Sequence, residues 1–312
     1  MRILVTGGYG FIGSHLVNRL IQNGFRSNDI VIVDNFTNGD INRVDGGRCY
    51  QTAIENISAL NDAFKLGKPD VVFHLAAKAS VSGLLLTSSD TMHTNVCGTL
   101  NVLQCCNTFN VKKIVLISSA AVYGEAVREL PIDEDHPLDP ISFYGLSKYF
   151  CERSLDLYSK TSSIQPLVFR FSNVYGPNQS KETGVISAFI ANELALQPLS
   201  VYGDGNTIRD YIYVDDVVEA LLLSVTTDLV GTFNVSTGIA TYVNDLVVII
   251  DRLMGRLGYS TVSFEPSRLG DVIYSSLSHE KLSNLTGWQP KVKLEDGIKR
   301  TLDFYLEHQS DV

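Results

Sequence analysis

The sequence predicts an α/β fold: a Rossmann-type doubly wound parallel sheet with a smaller, discontinuous C-terminal α/β lobe. Three observations support this prediction. Strand-like and helix-like segments alternate through the first half of the chain. Some strand segments, such as 114–117, are apolar without interruption, as expected of strands buried on both faces. A glycine-rich turn at 7–13 separates the first strand from the first helix.

The elements of the first half follow one another in order. Residues 2–6 form a short β-rich run, and the helix after the glycine turn ends near Gly24, with an apolar face of Ile12, Leu16 and Leu20. Later strands are predicted at 30–33, 71–75, 113–117 and 167–171. Longer helices are predicted at 94–107 and 142–161.

The character of the chain changes after residue 173. A loop and a helix extend to about 199, strand and helix return at 206–224, and a last helix covers 294–308. We therefore predict two lobes. The first comprises residues 1–172, with 206–237 returning to it, and the second comprises 173–205 and 238–312.

Composition excludes several classes of protein. The chain has 312 residues, 45% of them hydrophobic and 19% charged, as in ordinary globular proteins. A net charge of −9 argues against general nucleic-acid binding, and no apolar run reaches the length of a membrane span. The N-terminus runs directly into a strand, so we expect no signal peptide. Five cysteines without a C-x-x-C pair predict reduced thiols, no metal site and a cytoplasmic location.

The glycine turn predicts a dinucleotide site. Gly7, Gly10 and Gly13 give the spacing G-x-x-G-x-x-G, which permits a tight turn and close approach of a pyrophosphate to the backbone. The helix begins near Phe11 and Ile12, so its N–H groups and positive dipole end point at that phosphate. A turn that merely caps the helix is the alternative.

An acidic residue closes the second strand. Asp34, followed by Asn35, stands about 20 residues after the turn, where a carboxylate accepts hydrogen bonds from the adenosine ribose. It would repel a 2′-phosphate, so NAD is favoured over NADP. A surface aspartate without a ligand is the alternative.

Tyr144 and Lys148 are four residues apart on a predicted helix and therefore share one face. A phenol ionises only near pH 10. A lysine one turn away favours the phenolate and makes a proton acceptor usable near neutral pH. The pattern Y-x-x-x-K alone is common on helix surfaces, but here Ser118 and Ser119 end an apolar strand upstream.

These motifs resemble those of the extended short-chain dehydrogenase/reductases that act on nucleotide sugars. The resemblance covers nearly the whole chain. Its motifs occur in order at 6–13, 74–77, 95–99, 118–124, 144–148, 170–177, 209–216 and 268–271.

The resemblance implies catalytic and substrate-binding roles. Tyr144 is the base, Lys148 supports it and contacts the nicotinamide ribose, and Ser119 binds the reacting sugar hydroxyl. Three residues are placed against the nucleotide diphosphate: Asn173, Arg209 and, from the second lobe, Arg268. An arginine fork suits phosphate chemically. The first lobe would thus bind NAD and the second the nucleotide sugar.

The resemblance also implies further contacts around the cofactor. They comprise Leu75, Ala76, Ala77 and Asn95, with Asn95 organising structure and water. We expect His74 to pack or cap at the end of its strand rather than to catalyse. We expect Asp215 and Asp216 to cap the helix that follows them.

The residues after Ser119 separate the reactions of the family. Dehydratases carry an Asp-Glu pair there and decarboxylases a glutamate at the second place, whereas this chain has Ala120 and Ala121. We therefore predict an NAD-dependent 4-epimerase, an isomerase that inverts C4 of a UDP-hexose through a 4-keto intermediate. The alternatives are an NDP-sugar 4,6-dehydratase or other nucleotide-sugar oxidoreductase, and a non-catalytic NAD-binding sensor.

The resemblance implies that a position shortly after the Arg-x-Gly-Asp motif gates the space around C2 of the sugar, and counting from Arg268 puts Ser275 at that position. Its small side chain predicts that N-acetylhexosamines enter as well as UDP-glucose and UDP-galactose. A shift of one residue would place Tyr274 there and reverse this. The resemblance also implies a homodimer joined through the helices at 94–107 and 142–161. The alternative is that the apolar residues of these helices belong to the core of a single chain.

Overall fold

The computed structural model describes residues 1–79, 85–125, 131–255, 258, 260–268 and 270–308, without the side chains of 85–87. Its first six strands are β1 (Ile3–Thr6), β2 (Ile30–Asp34), β3 (Arg48–Gln51), β4 (Val71–His74), β5 (Lys113–Ser119) and β6 (Gln165–Phe171). The later strands are β7 (Asn173–Tyr175), β8 (Leu199–Tyr202), β9 (Ile208–Arg209), β10 (Tyr211–Tyr213), β11 (Gly231–Val235), β12 (Thr241–Tyr242) and β13 (Val262–Glu265).

The helices lie between and after these strands. In chain order they are α1 (Phe11–Gln22), α2 (Ile57–Gly67), α3 (Leu85–Met92), α4 (Gly98–Thr108), α5 (Phe143–Thr161), α6 (Val185–Leu194), α7 (Val214–Thr226), α8 (Val243–Leu253), α9 (Glu280–Thr286) and α10 (Leu294–Glu307). A π-helical turn, His93–Cys97, joins α3 to α4.

Seven parallel strands form the central sheet in the order β3-β2-β1-β4-β5-β6-β11. The predicted Rossmann-type fold is therefore confirmed. Because the strand order reverses beside β1, the carboxyl ends of β1 and β4 flank a crevice of the kind in which open α/β sheets bind ligands.

Both faces of the sheet are covered by helices. Leu16 of α1 and Val217 of α7 belong to the same buried cluster as Val115 of β5. Leu60 of α2 belongs to the cluster of Leu116. Successive residues of β5 are thus buried on alternate sides of the sheet, which explains its unbroken apolar run.

The second half of the chain builds small two-stranded sheets outside the central one. Strand β7 pairs with β10, β9 with β12, and β8 with β13. Strand β11 returns to the central sheet beside β6. The boundaries of the two lobes stay a prediction.

The capping role predicted for Asp215 and Asp216 is wrong. Helix α7 begins after Tyr213 without a side-chain cap. Asp216 instead accepts hydrogen bonds at 3.0 Å from the backbone N–H groups of Lys291 and Val292. The two aspartates lie inside the first turn of α7, and Asp216 binds a neighbouring segment.

None of the five cysteines is in a disulfide, and Cys105, Cys106 and Cys151 are buried. Among the described residues, no helix is long and apolar enough to cross a bilayer. Within the same part of the chain, no group of three or more His, Cys, Asp or Glu side chains could hold a metal ion.

Candidate functional site

The glycine turn between β1 and α1 is packed too closely for side chains. Gly7 has a φ of +71°, and a Cβ there would lie 2.8 Å from the backbone nitrogen of Ala76. A Cβ on Gly13 would overlap the carbonyl oxygen of Gly7. The segment after β4, which carries Leu75 and Ala77 beside Ala76, therefore lies directly against the turn.

Helix α1 presents an uncapped N-terminus at this turn. Its N-cap residue is Gly10, and no side chain caps it. The first N–H groups of the helix, including those of Phe11 and Ile12, have no acceptor within an α-helix. Together with the helix dipole they form an anion site suited to a diphosphate.

Asp34 is held in place at the end of β2. Its Oδ2 accepts from the N–H of Tyr9 and its Oδ1 from the N–H of Phe36, both at 2.9 Å. The side chain is buried, and each oxygen retains lone-pair capacity for a hydroxyl donor. Asn35 is exposed, and its Oδ1 accepts from the N–H of Thr37 at 3.0 Å.

Tyr144 and Lys148 lie on the first turns of α5, which Ser142 caps by accepting from the N–H of Gly145 at 3.1 Å. The Nζ atom of Lys148 is 5.9 Å from the centre of the Tyr144 ring. Lys148 is buried and donates to the carbonyl oxygen of Ile117 at 2.8 Å. Tyr144 is half-buried near the start of the helix.

Ser119 is the last residue of β5, and its Oγ accepts from the N–H of Ala121 at 3.2 Å. Ala120 and Ala121 follow in a 3₁₀ turn, Ala120–Val122. A Cβ on Gly145 would overlap the carbonyl oxygen of Ala121. The start of α5, with Tyr144, is thus packed against the turn that follows Ser119.

The residues predicted to bind the diphosphate come from β7, β9 and a loop. Asn173 is exposed, on the strand that pairs with β10. Arg209 is largely buried and donates to Asp271 at 2.5 Å. Arg268 is exposed, with its guanidinium carbon 3.6 Å from the centre of the Tyr202 ring. The ion pair of Arg209 with Asp271 therefore joins β9 to the segment that follows Arg268.

Ser275 and Tyr274 differ in exposure, as neighbours in an extended segment do. Ser275 is 9% exposed, whereas Tyr274 is 47% exposed. Ser275 donates its N–H to the carbonyl oxygen of Ile208 at 3.1 Å. The segment therefore runs beside Arg209, the residue after Ile208.

Comparison with known proteins decides the family. The sequence profile of the NAD-dependent epimerase/dehydratase family matches residues 3–236. The chain belongs to this family. A UDP-glucose 4-epimerase of Mycolicibacterium smegmatis is 35% identical over 315 aligned positions, which cover 98% of each chain.

Solved structures of the epimerase/dehydratase family are similar throughout their length. A UDP-glucose 4-epimerase of Thermotoga maritima with UDP-glucose gives a TM-score of 0.94 at 38% identity, covering 99% of this chain and 100% of that one. A UDP-glucose 4-epimerase of Thermus thermophilus in complex with NAD gives 0.92 at 34% identity, with the same coverage. A dTDP-glucose 4,6-dehydratase of Streptomyces venezuelae gives 0.92 at 29% identity, covering 99% and 98%.

The residues present fit the NAD of the epimerase/dehydratase family. The glycine turn exposes backbone without side chains, the N-terminus of α1 offers N–H donors, and Asp34 offers carboxylate oxygens. Near the predicted nicotinamide ribose, Lys148 uses one of its three N–H bonds on Ile117.

The side-chain amide of Asn95 makes hydrogen bonds to three groups of the protein. Its Nδ2 donates to Ser147 at 2.8 Å and to the carbonyl oxygen of Lys78 at 3.1 Å, and its Oδ1 accepts from the N–H of Lys78 at 2.8 Å. Both amide hydrogens are used. Asn95 thus ties the segment after β4 to α5, and only its oxygen retains capacity for a ligand.

A buried ion-pair network beside β5 was not predicted. Arg170 donates to both carboxylate oxygens of Glu152, at 3.0 and 2.7 Å, and Ser118 donates to the same carboxylate at 2.5 Å. Arg170 also donates to the hydroxyl of Tyr123 at 2.9 Å, and burial raises the pKa of Tyr123 to about 12. The sequence signal was a single charged residue, Arg170, within the apolar strand 167–171.

Tyr211 is a second residue that the sequence analysis missed. It lies on β10 two residues after Arg209 and is buried, and its hydroxyl has no hydrogen-bond partner among the described groups. Burial raises the pKa of Tyr211, so the hydroxyl stays protonated and can donate. A buried donor without a partner is costly, and either an ordered water or a ligand would satisfy it.

His74 packs as predicted, between two threonines. Its Nδ1 lies 2.7 Å from Thr6 Oγ1 and its Nε2 2.9 Å from Thr99 Oγ1. Burial, with the charge of Lys148, lowers the pKa of His74 to about 3. Because the imidazole stays neutral in the folded protein at pH 7 and is enclosed by the threonines, it suits a structural role.

This pKa shift predicts loss of stability in mild acid. The unfolded chain takes up a proton on His74 below about pH 6.5, while the folded protein does not. The contribution of this pKa difference to the free energy of unfolding is present in full above that pH and is lost as the pH falls towards 3. Between about pH 7.5 and 5.5 we expect the free energy of unfolding to fall by about 1.4 kcal/mol more than in His74→Gln. Urea unfolding at both pH values measures this, and equal losses would contradict it.

Proposed function

We propose that the protein is an NAD-dependent 4-epimerase of UDP-hexoses. The observation that carries the proposal is the uncharged turn next to Ser119. Ala120 and Ala121 occupy it, between the end of β5 and the start of α5. Neither side chain can protonate a leaving hydroxyl or take a proton from carbon, as elimination of water from the sugar would require.

The next two glutamates along the described chain bind backbone elsewhere. Glu125 accepts from the N–H groups of Ile273 and Tyr274, and Glu134 accepts from that of Asn234 at 2.7 Å. Both carboxylates are thus committed to structural hydrogen bonds. Tyr144, on the helix that packs against the turn after Ser119, is the residue that we propose as the acid/base.

Ser119 and Tyr144 have separate roles in the reversible oxidation of the sugar at C4. Ser119 holds the 4-hydroxyl of the sugar, and Tyr144, with the Nζ atom of Lys148 5.9 Å from the centre of its ring, takes its proton. The chemistry that NAD supplies, when bound at the glycine turn, is to accept hydride from C4 and return it to the opposite face of the sugar. Tyr144 gives its proton back to the oxygen at C4 when the ketone is reduced. One acid/base residue suffices, because nothing leaves the sugar.

The UDP would stay anchored while the sugar turns. Its anchors are polar residues of β7, β9, β10 and the loop of Arg268. Arg209 and Arg268 supply charge for the diphosphate, and Asn173 and Tyr211 supply neutral polar groups. Arg209 is already paired with Asp271, which pre-orients its guanidinium. An anchored diphosphate leaves the keto sugar free to present either face to the cofactor.

A homodimer through α4 and α5 completes the proposal. Several large apolar side chains of these helices are exposed: Leu100, Phe143, Phe150 and Leu157. Pairing of these helices with those of a second copy would cover them. Sedimentation of the purified protein at micromolar concentration tests this, and a monomer would contradict it.

NMR of the products tests the function. The purified protein is incubated with UDP-glucose, UDP-galactose and their N-acetyl counterparts. We expect C4 epimers that retain the 6-hydroxyl, including epimers of the N-acetyl sugars because Ser275 is small. A 4-keto-6-deoxy product would instead support a dehydratase. Bound NAD without any turnover would support the sensor.

A further inference from the structure

We propose that Glu125 is a latch that fixes the segment 273–275 and thereby controls which sugars the site admits. This inference rests on the proposed function, from which Ser275 takes its place beside C2 of the sugar. Glu125 acts through the backbone of that segment and is a positioning residue.

The Glu125 carboxylate binds two successive backbone N–H groups. Oε1 accepts from Ile273 at 3.1 Å and from Tyr274 at 3.0 Å, and Oε2 accepts from Ile273 at 2.9 Å. The partners are 148 and 149 residues away along the chain. Hydrogen bonds to a charged acceptor are stronger than neutral ones.

The backbone that carries Glu125 is itself constrained. Gly124 has a φ of +70°, and a Cβ there would overlap the carbonyl oxygen of Asp139. Gly124 follows Ser119 closely, across the 3₁₀ turn Ala120–Val122. The latch and the residue proposed to bind the sugar hydroxyl therefore belong to one short stretch of chain.

The opposite edge of the segment is bound to β9. Ile208 donates its N–H to the carbonyl oxygen of Ile273 at 2.9 Å and accepts from the N–H of Ser275 at 3.1 Å. The segment thus lies between β9, which carries Arg209, and Glu125, six residues after Ser119. Arg209 and Ser119 are the residues proposed to bind the diphosphate and the reacting sugar.

Side-chain packing alone does not hold the first two residues of this segment. Ile273 is 52% exposed and Tyr274 47% exposed. Removal of the carboxylate would leave β9 as the main restraint on Ile273 and Tyr274, and would leave their N–H groups without the acceptor they now have. If the segment 273–275 is held less firmly, it discriminates less between sugars, because it can move aside for a bulky group at C2.

The test compares Glu125→Ala with Asp216→Ala. Asp216 is a matched control, because its carboxylate also binds two successive backbone N–H groups, those of Lys291 and Val292. Both variants therefore lose one carboxylate that holds a distant segment, and only one of these segments carries Ser275.

Two quantities are measured in the NAD-loaded proteins, all of which also carry Tyr144→Phe so that the bound sugar nucleotides are not epimerised. Amide hydrogen exchange at Ile273 and Tyr274 reports how firmly the segment is held. Calorimetry gives the dissociation constants of UDP, UDP-galactose and UDP-N-acetylgalactosamine, and so the preference between the two sugars.

In Glu125→Ala we expect exchange at both amides to accelerate roughly tenfold. We expect the ratio of the two sugar-nucleotide dissociation constants to move towards one, while the affinity for UDP changes less than about twofold, because the anchors of UDP remain. Asp216→Ala should leave all of these quantities as in the wild type. Glu125→Gln, which keeps one carbonyl acceptor, should fall between wild type and Glu125→Ala.

Unchanged exchange in Glu125→Ala would overturn the latch. Faster exchange with an unchanged ratio would overturn its control over the choice of sugar. Both measurements concern binding and motion rather than turnover. A wild-type protein that binds these nucleotides without epimerising them would therefore refute the proposed function and leave the test of the latch intact.

Discussion

Replacing Tyr144 with phenylalanine is expected to lower kcat for epimerisation by about 10²–10⁴-fold. The substitution removes only the phenolic oxygen, which we propose as the acid/base for the 4-hydroxyl. The ring, the helix cap at Ser142 and the Lys148 bond to Ile117 remain. Initial rates with UDP-galactose, together with titrations of NAD and UDP, measure the effect, and both affinities should be unchanged.

Tyr149→Phe is the matched control for this variant. Tyr149 lies on the same helix and is half-buried, and it packs against a separate cluster that includes Val122 and Tyr123. It should keep kcat within about twofold of the wild type, because substitutions away from special contacts have small effects. Near-normal turnover by Tyr144→Phe would contradict the proposed mechanism.

Replacing Gly13 with alanine is expected to weaken NAD binding by up to about 10²-fold, because overpacking that shifts the backbone costs about 1–3 kcal/mol. The new Cβ would overlap the Gly7 carbonyl oxygen and lie 2.7 Å from Gly8 Cα. These are backbone atoms of the turn and cannot rotate away, so the diphosphate site must distort. Fluorescence titration of the NAD-free protein with NAD measures the affinity.

Two further alanine variants, one inside the turn and one outside it, serve as comparisons for Gly13→Ala. Gly10→Ala places a Cβ 3.2 Å from the same carbonyl oxygen and should be milder. Gly24→Ala meets nothing within 4 Å, although its φ is +88°. It should cost about 1 kcal/mol of stability through backbone strain without changing NAD affinity. Equal NAD affinity in Gly13→Ala and Gly24→Ala would contradict the packing of the turn.

Local patterns predicted the long elements of the fold. The helix predicted at 142–161 is α5, Phe143–Thr161, and Ser142 caps it. The apolar run at 113–117 lies within β5. Long elements repeat their apolar period several times, so the pattern is distinct from chance.

Shorter elements were predicted less well. The helix predicted at 94–107 begins instead with a π-helical turn at His93–Cys97. Helix α2 was not predicted, although its N-cap, Asn56, accepts from the N–H of Ala59 at 3.1 Å. A single cap or turn gives little periodic signal, so packing against the rest of the chain decides such details.

Residues of the candidate site also differed in how far the local sequence predicts their positions. Gly7, Gly13 and Asp34 were predictable because the turn and the strand end that position them are local features of the chain. The partners of Asp216, 75 and 76 residues away, were not. A carboxylate in the first turn of a helix has the same local sequence signal whether it stabilises the helix or binds another segment.

Spacings along the chain were enough to predict the parallel sheet and to place Tyr144 and Lys148 one turn apart on a helix, because each of these features repeats or aligns along one strand or helix. The meeting of distant groups became evident only in the folded chain. Glu125 binds Ile273 148 residues away, through contacts that depend on how separate elements pack. No local period in the sequence encodes such a contact.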